Sequence, residues 1–278
     1  MLDYEAEAAR YDETRGGVPR AEAAAAAVLR LLPPGARTLV DLACGTGLVT
    51  ERLTRPGSAG PAVYGIDAAH AMLRAAADRL PGRVVRADAR RLPLPDGSVD
   101  AVSAVWLLHL VPFAPEIVAE AARVLRPGGV LLVTVDKDLA HDVGSDIDAL
   151  LRPHRAPDAG SDRAALVTAY AAAHGLTPAP GTSFTGRGQG ATPRGTAEKL
   201  RRGYYASWFR GTPATVDRLT KDLAALPYQD RPRAEPAYRL ARFVKGAEGG
   251  AWRGAAARPC VTPPCVTPPR RTPAPRTP

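Results

Sequence analysis

Asp41-Leu42-Ala43-Cys44-Gly45-Thr46-Gly47 is the stretch that decides the fold. It follows a short apolar run, residues 38–43, and leads into a helical pattern that reaches about residue 53. Gly45 and Gly47 allow a tight turn and a close approach of the main chain to a ligand. The helix that begins beyond them offers free N–H groups. In an open α/β sheet, ligands bind outside the carboxyl ends of the strands, where such turns lie.

Outward from this turn, strands and helices alternate. Residues 62–67 read as a second strand and 69–80 as a helix; 83–87 and 99–105 are further strands. Residues 114–125 form a helical pattern, and 129–135 are almost pure Leu and Val. This spacing predicts βαβ units and a parallel sheet covered by helices on both faces. The fifth run is apolar on both faces and suits a central strand. Ahead of the turn, Pro19 starts an alanine-rich helix over 20–32, stopped by Pro33-Pro34-Gly35. Beyond Val135, residues 164–174, 197–209 and 214–226 read as helices, and 238–244 as a closing strand.

Composition bounds the class. The chain has 278 residues, 45% hydrophobic and 23% charged, which is a globular balance. That excludes a wholly disordered, collagen-like or disulfide-stapled chain. No apolar run approaches the roughly 18–20 residues of a membrane span. The start, Met1-Leu2-Asp3-Tyr4-Glu5, is acidic where a signal peptide is basic and then apolar, so a cytoplasmic protein is expected. The formal charge is +9, but five arginines and no acid fall in residues 253–278, which hold more than half of that excess. The distribution argues against a dedicated nucleic-acid surface. The same segment repeats Pro-Cys-Val-Thr-Pro at 259–263 and 264–268, and is expected to be an extended, disordered tail. The expected division is therefore an N-terminal lid and helix over 1–35, a main domain over 36–252, and the tail over 253–278.

Two acids frame the glycine turn. Asp67 ends the second strand, at a spacing suited to accepting both hydroxyls of a ribose. Asp41 precedes the turn, where it suits the ammonium of a ligand that carries an amino acid. A nicotinamide dinucleotide is the competing ligand, but its G-x-G-x-x-G/A pattern fails at Thr50 and leaves Asp41 without a use.

The chain resembles the class I S-adenosylmethionine-dependent methyltransferases, of the small-molecule type similar to the ubiquinone/menaquinone-biosynthesis C-methyltransferases. The matching motifs are D-L-A-C-G-T-G at 41–47, Y-G-I-D at 64–67 and R-A-D-A-R-R-L-P-L-P-D-G-S-V-D at 86–100, then L-L-H-L-V at 107–111 and R-V-L-R-P-G-G at 123–129. The resemblance implies a Rossmann-like, doubly wound sheet of seven strands, mostly parallel with an antiparallel last strand, plus a helical cap over about 186–235.

The resemblance also assigns roles. The backbone at Ala43, Gly45 and Gly47 would hold the methionyl part of S-adenosylmethionine, and Asp41 would orient its amino group. Asp67 would bind the ribose, with Ala68 beside it. Met72 would pack on adenine, or serve only the core. Asp88 would accept from the adenine amine, and Ala89 would add a backbone contact. Val105 would line the donor pocket. Tyr11 and Arg15, in Tyr11-Asp12-Glu13-Thr14-Arg15, resemble a lid that closes on the methionyl carboxylate or the substrate. His109 is the candidate general base, and Trp106 a pocket wall or a core residue. Cys44 reads as a small filler in the turn.

His70, His141, His154 and His174 show no metal spacing, and the acids from Asp136 to Asp148 read as a solvated loop, so no metal is expected. The expected activity is methylation of a small organic acceptor at O, N or C, possible in specialised metabolism. A nucleic-acid methyltransferase is the second reading; Ala104-Val105-Trp106-Leu107 lacks the Asn/Asp-Pro-Pro-aromatic stretch of base-amine enzymes. A non-catalytic cofactor-binding scaffold is the third.

Overall fold

A computed structural model of the chain describes residues 4–54, 60–156, 160–205 and 208–246. The tail expected over 253–278 lies outside the described residues, as do Cys260 and Cys265.

A single sheet of seven strands organises the domain. Its strands are β1 (Thr38–Leu42), β2 (Ala62–Asp67), β3 (Val84–Arg86), β4 (Val99–Ala104), β5 (Leu125–Val135), β6 (Leu176–Thr185) and β7 (Ala237–Lys245), in the order β3-β2-β1-β4-β5-β7-β6. Contacts β1–β2, β1–β4, β2–β3 and β4–β5 are parallel, whereas β7 runs antiparallel to both neighbours. This is the seven-stranded, mostly parallel sheet with an antiparallel last strand that the sequence implied. The switch point lies between β1 and β4.

Two short helical pieces, α1 (Tyr4–Glu7) and α2 (Tyr11–Thr14), lead into the long α3 (Gly17–Leu31). The sheet's connections carry α4 (Leu48–Leu53), α5 (His70–Arg79), α6 (Ala114–Val124), α7 (Asp146–Leu151) and α8 (Ala164–Ala172). The hairpin-like excursion between β6 and β7 carries α9 (Pro193–Arg201) and α10 (Pro213–Ala225).

Strand alternation divides the interior in two. On β5, Leu131, Val133 and Val135 face one core with Val40, Leu42, Val102, Ile117 and Phe243. Val130 and Leu132 face the other, with Leu39, Ala101, Leu240 and the Ala24–Val28 face of α3. The Leu/Val run of β5 thus serves both sides, as its composition required. A third apolar cluster is separate. Ile147 and Leu151 of α7, Ala197 and Leu200 of α9, Trp208, and Leu219 and Leu223 of α10 pack together as the helical cap.

Several details differ from the sequence expectation. β6 was not expected: Pro178, Pro180 and Gly181 mask its strand pattern. It survives because it is the edge strand, where prolines are tolerated; its register shifts between Ala179 and Thr182. The helix expected over 197–209 ends at Arg201, so the aromatic run after it is not helical. Tyr205, Trp208 and Phe209 instead fill the cap core, and Tyr204 is left 42% exposed. Arg126-Pro127-Gly128-Gly129, at the start of the strand expected over 129–135, forms an irregular opening to β5: Val99 pairs with Leu125, and Ala101 with Val130.

Candidate functional site at the carboxyl edge of the sheet

Three of the five parallel strands leave this edge through a left-handed residue. Ala43 follows β1 with φ 54°, Trp106 follows β4 with φ 58°, and Asp136 follows β5 with φ 52°. Non-glycine residues seldom adopt this conformation, and it clusters at functional turns.

The glycine turn is built from both sides. Gly47 has φ 78°, and a Cβ there would lie 3.1 Å from Ala76 of α5, so only glycine lets α4 sit this close. Gly45 has φ 57°, but a Cβ there would meet nothing within 4 Å. The main chain at Gly45 therefore borders open space above the sheet edge. Cys44 is buried against β2, where a Cβ on Gly65 would lie 2.8 Å from its Sγ. Burial, with Asp41 and Asp67 nearby, pushes its thiol pKa up. Cys44 is a filler that fits the groove left by Gly65.

Asp67 closes the turn from β2. One carboxylate oxygen accepts from the Gly45 N–H at 2.8 Å, the other from the Ala69 N–H at 2.8 Å. An ionised carboxylate has about four acceptor sites, so capacity for two hydroxyls remains. Asp41 lies beneath the turn and is only 3% exposed. It faces Ser103 across the β1–β4 register, and its two oxygens accept from Ser103 Oγ at 2.7 Å and Thr50 Oγ1 at 2.6 Å. Burial raises its pKa to about 6 against the lowering effect of these hydroxyls. Thr50, where a dinucleotide site would have a small residue, thus has a use of its own. Sequence spacing places Thr50 in the turn's helix but does not reveal this contact.

Asp88 lies beyond β3. Its carboxylate receives both Arg90 Nε, at 3.0 Å, and Nη2, at 2.6 Å, and this pairing holds its pKa below the usual range. Arg90 in turn lies 4.2 Å over the Phe113 ring. Ala68 is exposed beside Asp67, and Ala89 is half-buried beside Asp88. Met72 is 2% exposed on α5 and belongs to the interior. Val105 is buried at the end of β4.

The N-terminal segment packs onto this edge. Asp12 accepts from Thr46 Oγ1 at 2.6 Å and from Arg79 Nη2 at 2.8 Å; Arg79 also donates to the Thr46 carbonyl at 2.6 Å. Glu5 accepts from the N–H groups of His70 and Ala71, both at 2.7 Å. It supplies the acceptor that α5 otherwise lacks, because Ala69 at its N-cap has no side-chain oxygen. Arg15 binds the Tyr204 hydroxyl of the cap and lies 5.7 Å from the Tyr11 ring centroid. Sequence reasoning singled out Tyr11 and Arg15 in this segment but not the contacts of Glu5, Asp12 and Arg79, whose partners are distant in the chain.

Beyond β4 and β5 lies a cluster of aromatic and polar side chains. Trp106 is held by its backbone N–H, which donates to Thr134 Oγ1 at 2.7 Å. Its ring meets Phe184 and Tyr238 edge-on, with centroids 5.6 and 5.4 Å away. The guanidinium of Arg20 lies 3.4 Å over the same ring. Tyr238 donates its one hydroxyl proton to Gln189 Oε1 at 2.6 Å, so His141 Nε2, 3.1 Å away, donates to Tyr238. His109 sits just past β4; burial, then the charges of Lys137 and Arg20, push its pKa well below the usual imidazole value, and it is neutral at pH 7. Its Nδ1, together with Trp106 Nε1, Arg15 Nε and Arg20 Nε, is buried without a hydrogen-bond partner.

The acids after β5 form ion pairs. Asp136 meets Arg239 at 2.6 Å, Asp138 meets Lys137 at 2.9 Å, Asp142 meets Arg152 at 2.8 Å and Asp146 meets Arg233 at 2.7 Å. Asp148 caps α7 through Ser145. Among the described residues, no group of three His, Cys, Asp or Glu side chains is arranged to hold a metal. No helix among them is long and apolar enough to cross a membrane.

The comparisons agree with this geometry. A family model described as a methyltransferase domain matches residues 40–133, from β1 to β5. The ubiquinone/menaquinone biosynthesis C-methyltransferase UbiE of Methylobacterium nodulans is 38% identical over 136 residues, covering 45% of this chain and 54% of that protein. An uncharacterized chloroplastic methyltransferase of Arabidopsis thaliana is 40% identical over 106 residues, covering 34% of this chain and 30% of the relative. The chain thus spans about a third to a half of the length of the curated relatives it matches. Among solved structures, the [4+2]-cyclase SpnF aligns over 88% of this chain and 94% of its own, with a TM-score of 0.56 and 22% identity; that likeness concerns the fold. The glycine turn, the acid ending β2 and the strand order, together with the matched region, identify residues 40–133 as a methyltransferase domain of the class I S-adenosylmethionine-dependent family.

Proposed function

We propose that the chain transfers the methyl group of S-adenosylmethionine to a small organic acceptor. The observation that carries this reading is the pairing of two features on one sheet edge. One is a glycine turn whose Gly45 backbone borders open space. The other, past the switch point, is a pair of buried nitrogens without a hydrogen-bond partner, Trp106 Nε1 and His109 Nδ1.

When bound, the cofactor supplies an electrophilic methyl group on a sulfonium. The chain's own residues do the rest. The main chain at Ala43, Gly45 and Gly47 cradles the methionyl end, over a floor fixed by Asp41, Thr50 and Ser103. The spare lone pairs of Asp67 take the ribose hydroxyls. Asp88 offers an acceptor to the adenine amine once Arg90 turns aside; Ala68 and Ala89 shape that end of the site. Val105 and Trp106 bring the acceptor against the methyl group. Holding the two reacting centres in near-attack geometry and excluding water is the main task of such a site. The segment holding Asp12 and Glu5 covers the turn and acts as the lid, with Arg15 and Tyr11 on its inner side.

His109 is neutral, so its imidazole can accept a proton from an acceptor hydroxyl, the one step for which a base is required. Its lowered pKa keeps it ready at neutral pH and weakens it as a base.

The test is methyl transfer from radiolabelled S-adenosylmethionine to a library of small phenols, amines and organic acids. Label in an organic product, lost in Asp67→Ala, supports the reading. Cofactor binding without transfer to any class would favour a non-methylating use of the fold.

A further inference from the structure

We propose that Arg20 is an anion-binding residue that selects acceptors bearing a carboxylate. This deepens the methyl-transfer reading and rests on it. Arg20 lies in the first turn of α3 and is only 8% exposed. A buried guanidinium ordinarily has a carboxylate partner, because desolvating a lone charge is expensive. Arg20 has none within ion-pair distance among the described residues. The groups that bear most strongly on its charge are Tyr238, Tyr11, Arg15 and Tyr204. Among the described residues its one side-chain hydrogen bond runs from Nη1 to the Arg15 carbonyl at 2.9 Å, and its Nε is buried without an acceptor.

The position of this charge points to the acceptor rather than the cofactor. Arg20 stacks 3.4 Å from the centroid of Trp106, on the β4 side of the switch point. Trp106 in turn touches Tyr238 of β7 and Phe184 of β6, both in the half of the sheet away from Asp67 and Gly45. Trp106 Nε1 and His109 Nδ1 are unsatisfied in the same region. All these groups except His109 Nδ1 are obligate donors, and they call for an acceptor-rich ligand. A carboxylate answers the charge and the donors together. The Trp106 ring against which Arg20 stacks favours a planar, aromatic acid. A compact anion here also offsets the repulsion between the Arg20 guanidinium and a cationic methyl donor.

Arg20 offers a test that separates binding from folding. A structural arginine destabilises the fold when it is removed. An unpartnered one relieves desolvation when replaced by an isosteric apolar chain. The experiment uses the full chain, its Arg20→Met variant and the charge-preserving Arg20→Lys. Each is titrated calorimetrically with S-adenosylhomocysteine, then with 4-hydroxybenzoate and with uncharged 4-hydroxybenzamide, with and without the first ligand.

The proposal expects the acid to bind the natural chain at least tenfold more tightly than the amide. That preference should vanish in Arg20→Met and return in part in Arg20→Lys. S-adenosylhomocysteine affinity should change less than threefold, and Arg20→Met should melt at the same or a higher temperature. Equal binding of acid and amide, or a preference that survives in Arg20→Met, overturns it. So does a tenfold loss of S-adenosylhomocysteine affinity in Arg20→Met, which would give Arg20 to the cofactor's own carboxylate, or a fall in melting temperature, which would make it structural. If S-adenosylhomocysteine fails to bind the natural chain, the methyl-transfer reading fails instead, and the acid–amide comparison without it still decides the role of Arg20.

Discussion

Thr50 donates a 2.6 Å hydrogen bond to Asp41, and the pair lies fully beneath the glycine turn. Ser103 completes the group from the neighbouring strand. Because burial already raises the Asp41 pKa to about 6, each hydroxyl counts toward keeping a charge there. Removing one leaves a buried acceptor unsatisfied, which costs about 1–3 kcal/mol. Thr50→Val, nearly equal in volume, should lower the melting temperature by several degrees and raise the Asp41 pKa further. Carboxyl NMR titration and thermal unfolding check both. An unchanged melting temperature would mean that the hydroxyl has no part in holding the turn.

Asp67 joins the turn to β2 through the Gly45 N–H and retains acceptor sites for a ligand. Asp67→Ala should weaken S-adenosylhomocysteine binding by about 5- to 150-fold, matching the 1–3 kcal/mol of lost acceptors. Asp67→Asn, which keeps one acceptor, should fall between the two. Wild-type affinity in Asp67→Ala, read by calorimetry, removes Asp67 from the ribose.

The N-terminal segment proposed as the lid is held at Thr46 and Arg79 by the Asp12 carboxylate. Hydrogen bonds to a charged group contribute about 1.5–3 kcal/mol each. Asp12→Ala should therefore speed tryptic cleavage after Arg10 and Arg15 at least tenfold, and saturating S-adenosylhomocysteine should slow it again. Equal cleavage rates in the two proteins would show that Asp12 does not hold the segment down.

The stability of the domain should fall on mild acidification. Burial, followed by the Lys137 charge, lowers the His141 pKa to about 3 and drives that of His109 down as well. The unfolded chain binds these protons near pH 6.5, whereas the folded chain does not, so stability is lost as pH falls from about 6.5 toward 3. Asp41 acts in the opposite sense between about pH 4 and 6, because its raised pKa lets the folded state hold the proton. Its shift is smaller than that of His141 alone, so the net slope keeps the histidine sign. Melting temperatures at pH 7 and pH 4.5 should differ by several degrees, and His141→Phe should flatten that difference. An identical slope in the variant contradicts the assignment.

His109→Ala should leave S-adenosylhomocysteine affinity intact and lower turnover about 10²- to 10⁴-fold on a hydroxyl acceptor. The rate should show no acidic limb near pH 6.5, because the imidazole stays neutral there. Unchanged turnover takes His109 out of the reaction.

Much of the sheet was legible because its signals are local. The Gly45–Gly47 turn, the acid at the end of β2 and the Leu/Val run of β5 each announce their place within a few residues. β6 was not legible, because its prolines suit only an edge and edge position is a tertiary fact. The site divides in the same way. Asp41, Asp67, Trp106 and His109 sit at strand ends and could be found by position. Glu5, Asp12 and Arg20 act on residues 34 to 86 positions away, and nothing in their own neighbourhoods marks them. The acids after β5, read as a solvated loop, are tied to cations, among them Arg233 and Arg239, that only folding brings near.

The central claim is that the turn and its flanking acids hold S-adenosylmethionine. Isothermal titration of the full chain with S-adenosylhomocysteine, with NADH as the control ligand, tests it most directly. The account predicts saturable micromolar binding of S-adenosylhomocysteine, sharply weakened in Asp67→Ala, and no heat from NADH. Absence of S-adenosylhomocysteine binding by a folded chain, or binding of NADH in its place, would contradict it.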